Sequence, residues 1–364
     1  MDARHATILT IDLAALAANY RFFVDQLDAG SCGAAVKADA YGCGLENVAP
    51  ALAAAGCRQF FVATLDEGIA ARDVLGGGAE IFVLNGPVAG SEAEFAEHCL
   101  LPVLNDLGQI ERWRGAAVVH LDSGMSRLGL PPAEVATLAA EPERLAGIEL
   151  RYVMSHLACA DEPERPENAA QLGLFQNLRA QLPPARASLA NSAGILLGPQ
   201  YHFDLARPGI GLYGGNPLAS GPNPVRQVVS LQAKIAQVRE IDSPQTVGYG
   251  AAHRATGPSR IATVPVGYAD GYPRSLSQRG FASIAGVRVA LVGRVSMDLI
   301  TLDVSALPPQ TAQPGSLVEL LGGEVDIDEL AAAAGTISYE LLTGLGRRYR
   351  RRYLGAAADV ETPR

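Results

Sequence analysis

No run of apolar residues in this chain approaches the roughly 18 that a membrane-spanning helix needs. Basic charge is not in excess either. The 364 residues carry a net charge of −9, which argues against nucleic acid or an anionic membrane surface as a partner. Cysteine is scarce and unpatterned. Cys32, Cys43, Cys57, Cys99 and Cys159 are odd in number, scattered and without C-x-x-C spacing. They indicate neither a disulfide framework nor a zinc site, and they fit a reducing compartment. Low-complexity tracts are absent. Met1-Asp2-Ala3-Arg4-His5 leads into alternating polar and apolar residues rather than a secretory leader, so a cytoplasmic location is expected. One dense basic run exists, Arg347-Arg348-Tyr349-Arg350-Arg351-Arg352. Its tyrosines and apolar neighbours fit the end of an amphipathic strand or helix better than a nucleic-acid patch.

What is present points to a folded two-domain chain. Hydrophobic residues make up 48% and charged residues 18%, and the length suits two domains. As far as Gly215, short β-type runs alternate with helical stretches. The runs end near Lys37, Thr64, Asn85, Asn105, Asp122, His156, Ser192 and Pro208. Ala-rich helical patterns fill the intervals, at Glu46 to Gly56, Leu65 to Gly76, Ser91 to Cys99 and Glu167 to Leu182. Eight strand–helix units in series predict an α/β fold with an N-terminal (β/α)8 TIM-like barrel.

Asn216 to Pro224 reads as a linker. Beyond it the pattern turns mainly β, at Val228 to Ile241, Arg260 to Val266, Ala282 to Val295, Leu299 to Val304 and Ser316 to Leu321. A helical insert, Asp326 to Ala334, follows. The expected domains are therefore 1–224, the barrel, and 225–364, a C-terminal mainly-β domain. The N-terminal run Ala6 to Asp12 is expected to pair with the second.

Barrels of this kind build their chemistry at the C-terminal ends of the strands. Lys37, Asp122, His156, Asn191, Ser192 and Arg207 fall there. A lysine leaving a buried strand is costly as a cation and tolerable as a neutral amine or a Schiff base. The alternative is a snorkelling surface lysine. Asn191-Ser192-Ala193-Gly194 and Arg207-Pro208-Gly209-Ile210-Gly211 follow the seventh and eighth runs, where backbone N–H groups commonly hold a phosphate. Arg207 reads either as a cation facing a ligand or as the partner of Asp204. His156 reads either as a site residue or as a satisfied core histidine.

The stretch Ala34-Ala35-Val36-Lys37-Ala38-Asp39-Ala40-Tyr41-Gly42-Cys43-Gly44 resembles the pyridoxal phosphate-binding signature of alanine racemases, and the resemblance extends over nearly the whole chain. It implies that Lys37 carries pyridoxal 5'-phosphate as a Schiff base. Asn191, Ser192, Gly209 and Ile210 then match the phosphate-binding elements, with Tyr41 and Tyr339 also reaching the phosphate. Arg207 would face the pyridine nitrogen and keep it unprotonated. His156, in Met154-Ser155-His156-Leu157-Ala158, would hydrogen-bond to Arg207. Arg127, in Asp122-Ser123-Gly124-Met125-Ser126-Arg127-Leu128-Gly129, would contact the cofactor phenolate and the substrate carboxylate.

Gly267-Tyr268-Ala269-Asp270-Gly271-Tyr272 is similar to the family motif that supplies a second base. Lys37 would then handle the Cα proton of D-alanine and Tyr268 that of L-alanine. In the family that tyrosine comes from the other subunit of a head-to-tail homodimer. Gly293-Arg294-Val295-Ser296-Met297-Asp298 implies that the Met297 backbone helps to hold the substrate carboxylate. No metal is expected.

The implied activity is the interconversion of L- and D-alanine, supplying D-alanine for peptidoglycan. A broad-specificity amino-acid racemase of the same fold is the nearest alternative. A single-barrel pyridoxal phosphate-binding protein would lack Tyr268 and Met297. A basic-amino-acid decarboxylase would place an acidic group where Arg207 stands. The chain departs from the family pattern at one position. Many members carry a carbamylated lysine seven residues before the arginine that it orients, and here that residue is His120. An imidazole cannot form a carbamate, so either a bound anion or His120 itself must position Arg127. We expect a native mass spectrum of the purified protein to show no lysine carbamate; a modified lysine in contact with Arg127 would refute this.

Overall fold

The computed structural model describes residues 5–355 and the backbone of 360–361. The opening Met1 to Arg4, read above as lacking a leader, lies outside the described residues. The chain divides into two units, residues 16–226 and residues 1–15 with 227–364.

The first unit is a barrel. Seven parallel strands run in the order Ala34–Ala35, Gln59–Val62, Glu80–Val83, Leu101–Leu104, Gly115–His120, Ile148–Met154 and Arg186–Ser188. Their centres are unbroken apolar runs such as Phe60-Phe61-Val62, Ile81-Phe82-Val83 and Val118-Val119, all buried. Strands covered by helices on the outside and side chains on the inside need this pattern. The eighth strand, Leu205–Ala206, pairs with Ser31–Cys32. Gly33 N–H then donates to Ala206 (2.8 Å) and Ala35 N–H to Pro208 (2.9 Å). On its other side Asp204 N–H donates to Ala187 (3.0 Å) and Arg207 N–H to Ala190 (2.8 Å). The ring is thereby closed. Gly33 lies between the two segments, and a Cβ there would lie 2.8 Å from the Phe61 ring.

The barrel interior is filled by rings. Phe61 and Phe82 stack with centroids 4.5 Å apart, and Tyr152 meets Phe82 edge-on at 5.7 Å. Tyr152 stands three strands from Phe82, so this contact crosses the interior. At the far end of the stack the Arg186 guanidinium lies over Tyr152.

The second unit is a ten-stranded sheet in the order Gln237–Ile241, Ser259–Val264, Ile300–Asp303, Val287–Val292, Phe281–Ile284, Leu317–Leu321, Val229–Lys234, Thr7–Asp12, Arg350–Leu354 and Val360–Glu361. Thr7–Asp12 runs antiparallel to Val229–Lys234 and parallel to Arg350–Leu354. The basic run therefore contributes a strand, in which Arg350, Arg351 and Arg352 precede the buried Tyr353. Two expected runs are split. Ala282 to Val295 is a hairpin turned at Ala285 and Gly286, both with positive φ, and Val228 to Ile241 is two strands. Among the described residues no helix is long and apolar enough to cross a membrane.

The turn Gly267–Gly271 closes against the chain after the helix Ser338–Thr343. Gly271 has φ of +89°, and a Cβ there would overlap the Gly344 carbonyl. Gly346 N–H donates to Asp270 at 2.9 Å. Both the left-handed φ and the overlap penalise a side chain. Gly271→Ala should lower the thermal unfolding midpoint by about 4 °C or more. Gly257→Ala, where a Cβ meets nothing, should change it little. Equal midpoints would refute the packing argument.

Candidate functional site

At the C-terminal end of the barrel strands the chain leaves Ala34–Ala35 through Lys37 and turns left-handed. Ala38, Asp39, Ala40 and Tyr41 all have φ between 52° and 54°. Left-handed turns of L-residues cost roughly 1–2 kcal/mol per residue, so something must hold this one. Glu67 does so with both carboxylate oxygens, accepting from Ala38 N–H and from Ala63 N–H, each at 2.7 Å. The Asp39 carboxylate accepts from Leu45 N–H at 2.7 Å. Gly42 and Gly44, both with positive φ, complete the turn.

Lys37 is half-buried, and its amine is held below the ordinary lysine range. Burial is the main cause, Arg127 and Arg207 add to it, and Glu67 opposes it. Such an amine is closer to the neutral, nucleophilic form at physiological pH.

Arg207 is buried, and its guanidinium donates to the Ser188 hydroxyl, to the Ser155 carbonyl (2.7 Å) and to the Leu189 carbonyl (3.3 Å). Ser155 is itself tied to Ser123, Oγ to Oγ at 2.7 Å. Asp204 is engaged elsewhere, accepting from Ala187 N–H. Among the described residues no carboxylate pairs with Arg207. Burial pushes the guanidinium down to about 10, which leaves it charged at neutral pH. A buried cation held only by neutral oxygens keeps its charge available to a ligand. The Phe61 ring, at 5.9 Å, closes the barrel beneath it.

His156 is held well below the usual histidine range by burial, reinforced by Arg207 and Arg127, and is therefore neutral. The loop that carries it is fixed by Gln171, which donates to the His156 carbonyl and accepts from Ala158 N–H.

Ser192, Gly209, Ile210 and Tyr41 come together. The Ser192 hydroxyl accepts from Gly209 N–H (2.8 Å) and Gly211 N–H (3.3 Å). A Cβ on Gly209 would strike the Tyr41 hydroxyl. Asn191 accepts from Gly194 N–H at 2.8 Å. Tyr41 stacks on Tyr213 at 4.6 Å, and the Tyr213 hydroxyl donates to the Ala35 carbonyl. Ile210 is buried at the start of the turn Ile210–Tyr213. The Ser192 hydroxyl thus takes up the Gly209 and Gly211 N–H groups, and the side-chain-free Gly209 lets the Tyr41 hydroxyl approach.

Arg127 is exposed. Its loop is clamped by Asp122, whose Oδ1 accepts from Gly124, Met125 and Ser126 N–H at 2.9–3.0 Å.

The remaining expected residues lie in the β-rich unit. Tyr268 N–H donates to the Ser296 carbonyl and Ala269 N–H to the Met297 carbonyl, both at 3.0 Å. Arg348 ties the same two segments through Asp270 (3.1 Å) and Asp298 (2.8 Å). Tyr268, Met297 and Tyr339 are exposed. One exposed tyrosine escaped the sequence reading. Tyr249 is 72% exposed against 44% for Tyr268. It sits between Gly248 and Gly250, both with positive φ, and a Cβ on Gly250 would lie 3.2 Å from the Arg294 guanidinium. The sequence signal was the Gly-Tyr-Gly triplet, outside any regular run. Glu67, Asn105, Gln171, Ser155, Ser188 and Tyr213 were also missed, because they act on backbone or on neighbouring side chains far away in sequence.

Residues 11–217 match the family model described as alanine racemase, N-terminal domain, and residues 228–353 match the alanine racemase, C-terminal domain. A protein of Rhodospirillum rubrum named alanine racemase is 54% identical over 364 residues, covering 97% of each chain. One of Mesorhizobium japonicum named alanine racemase, catabolic, is 50% identical, covering 97% of this chain and 95% of its own. Among solved structures, alanine racemase from Bartonella henselae with covalently bound pyridoxal phosphate superposes with a TM-score of 0.93 at 39% identity, covering 96% of this chain and 99% of that one.

The electrostatics can be checked directly. Reductive alkylation of Lys37 by a small aldehyde, followed across pH, should show a midpoint below the ~10.4 of a free lysine. Arg127→Ala removes a cation that disfavours the protonated amine, so the midpoint should rise. A wild-type midpoint at or above the free value would refute the assignment.

Proposed function

The chain belongs to the alanine racemase family, and on that basis we propose that it interconverts L- and D-alanine with pyridoxal 5'-phosphate as cofactor. The observation that carries the reading is the joint presence, at one barrel end, of a lysine depressed toward its neutral form and a buried arginine held by a hydroxyl and two carbonyls. The donor set fits the cofactor. Lys37 would hold its carbonyl carbon, Arg207 would face its ring nitrogen, and Ser192, Gly209, Ile210, Asn191, Tyr41 and Tyr339 would surround its phosphate. The bound cofactor supplies a carbonyl that condenses with the substrate amine and a ring that acidifies the Cα–H.

The rest of the chemistry falls to the chain. Arg127 and the Met297 backbone hold the substrate carboxylate. Arg207, charged and buried, keeps the ring nitrogen from being protonated and so limits side reactions, and neutral His156 supports it. Lys37 takes or returns the Cα proton on one face, that of D-alanine.

A tyrosine of the β-rich unit serves the other face. Tyr268 is the residue that the family resemblance indicates. A second reading is favoured by a specific observation: Tyr249 is the more exposed of the two, on a turn between two left-handed glycines against which Arg294 lies. We further infer a head-to-tail homodimer in which this tyrosine reaches the partner's barrel, a role consistent with the exposure of Tyr249, Tyr268, Met297 and Tyr339. The domain division near residue 225, a cytoplasmic location and a supply of D-alanine to peptidoglycan complete the proposal. All five cysteines are free, which suits that compartment.

An absorbance band near ~420 nm, expected of a lysine-bound cofactor, should vanish in Lys37→Ala. Phenylalanine at the true base, Tyr268 or Tyr249, should reduce racemisation by about 10²–10⁴-fold. That variant should still exchange the Cα hydrogen of D-alanine with deuterated solvent. Mixing it with Lys37→Ala under subunit exchange should restore racemisation, because one hybrid site is then intact. Full racemisation in both tyrosine variants would overturn the two-base reading.

A further inference from the structure

Asn105 follows the strand Leu101–Leu104 and is buried. Its Nδ2 donates to the Leu84 carbonyl (3.0 Å) and the Val103 carbonyl (2.8 Å). Both amide hydrogens are used, so the orientation of the amide is fixed. Its Oδ1 faces Nδ1 of His120 at 2.8 Å. An amide oxygen only accepts, so the hydrogen of this bond belongs to His120 Nδ1. Burial pushes His120 down to about 4; Arg207 and Arg127 add to this, and Asp122 opposes it. The nearby His156 is neutral and adds no charge. A neutral ring with its hydrogen on Nδ1 has a lone pair on Nε2.

The edge that bears Nε2 faces the Arg127 loop. A Cβ on Gly129 would lie 3.1 Å from His120 Cδ2, the ring carbon bonded to Nε2. The loop starts and ends at this histidine. Leu130 N–H donates to the His120 carbonyl (2.8 Å), and Asp122 N–H donates to Leu130 (2.9 Å). With Asp122 clamping the turn between, the reach of Arg127 is set from the same strand end that carries His120.

We propose that Asn105 and His120 form a positioning pair: the amide fixes the imidazole as the Nδ1–H tautomer, and Nε2 accepts from the Arg127 guanidinium and holds it for the carboxylate of the substrate. Either other state of the ring would fail. The Nε2–H tautomer would oppose donor to donor, and the imidazolium would repel the guanidinium. No bound anion is then needed beside Arg127. The carboxylate part of this assignment rests on the proposed racemase reading.

The test uses the full chain, with and without cofactor, labelled with 15N-histidine; His120→Gln assigns the signal. His120 should show a protonated Nδ1 and a bare Nε2 and stay neutral at pH 5, well below the ~6.5 of a free histidine. Asn105→Ala should raise the Nε2–H population. In kinetics, His120→Leu should raise KM for alanine about tenfold with a smaller loss in kcat. His120→Gln, which can present an amide oxygen, should recover most of it. An Nε2–H tautomer in the wild type, or an unchanged KM in a folded His120→Leu, would overturn the proposal. If His120→Leu does not fold, the Asn105→Ala spectrum decides. The tautomer is read without turnover, so a chain that fails to racemise alanine refutes the functional reading and the carboxylate part without touching the Asn105–His120–Arg127 pairing.

Discussion

Taking the Arg207 guanidinium out of water strips it of hydration, and the barrel replaces that hydration with a hydroxyl and two carbonyls rather than with a carboxylate. Carboxylate pairing would neutralise the charge where it stands; neutral oxygens hold the group in place and leave its field intact. That field then acts on its neighbours. Arg207 contributes to the depression of Lys37, His120 and His156. One buried cation thus helps to keep an amine and two imidazoles near their neutral forms in a region of short distances. The support beneath it is mechanical. Phe61, Phe82 and Tyr152 fill the barrel under Arg207, and the Ser123–Ser155 and Ser188 links fix the strand ends to which it donates.

The turn after Lys37 shows a second use of fixed charge. Four successive left-handed residues are unfavourable by several kcal/mol in sum, and this conformation persists because the Glu67 and Asp39 carboxylates take up backbone N–H groups that would otherwise lack partners. Glu67 also favours the charged form of Lys37, so it partly offsets the two arginines. The lysine is therefore poised by opposed terms rather than by burial alone. The same turn delivers Tyr41 to Gly209, whose missing side chain makes room for the phenol. Strain, capping and the approach of Tyr41 to Gly209 are consequences of one local conformation.

Much of this was legible in the chain. All eight barrel strands end within a few residues of the positions where the apolar runs stop, because a parallel strand buried on both faces must read as a continuous apolar block. Lys37, His156, Ser192 and Arg207 stood out as polar groups at those ends. What was not legible has a common physical cause. Glu67 looks like an ordinary N-terminal helix glutamate, since its second acceptor site is used by a residue 29 positions away. Asn105 looks like a loop residue and Gln171 like an ordinary helix residue, yet each fixes a functional segment through two carbonyl or amide partners. The hairpin at Ala285–Gly286 was invisible because an uninterrupted apolar pattern crosses it, and only the left-handed φ at both turn residues reveals it.

Tyr249 is the instructive omission. Its strands, Thr246–Val247 and His253–Arg254, are two residues each, too short to leave any periodic signature. Between them the chain uses two left-handed glycines to project a tyrosine into solvent beside Arg294. Exposing a large aromatic on a constrained turn is unfavourable in isolation. It becomes reasonable if the turn exists to present the phenol to another surface. Tyr268, by contrast, belongs to a turn whose backbone is locked to Ser296 and Met297 and braced by Arg348 through Asp270 and Asp298. In that turn the Arg348 cation is engaged by two carboxylates. The difference between the two tyrosines lies in how each turn is held, a property of backbone and side-chain placement that no motif in the sequence records.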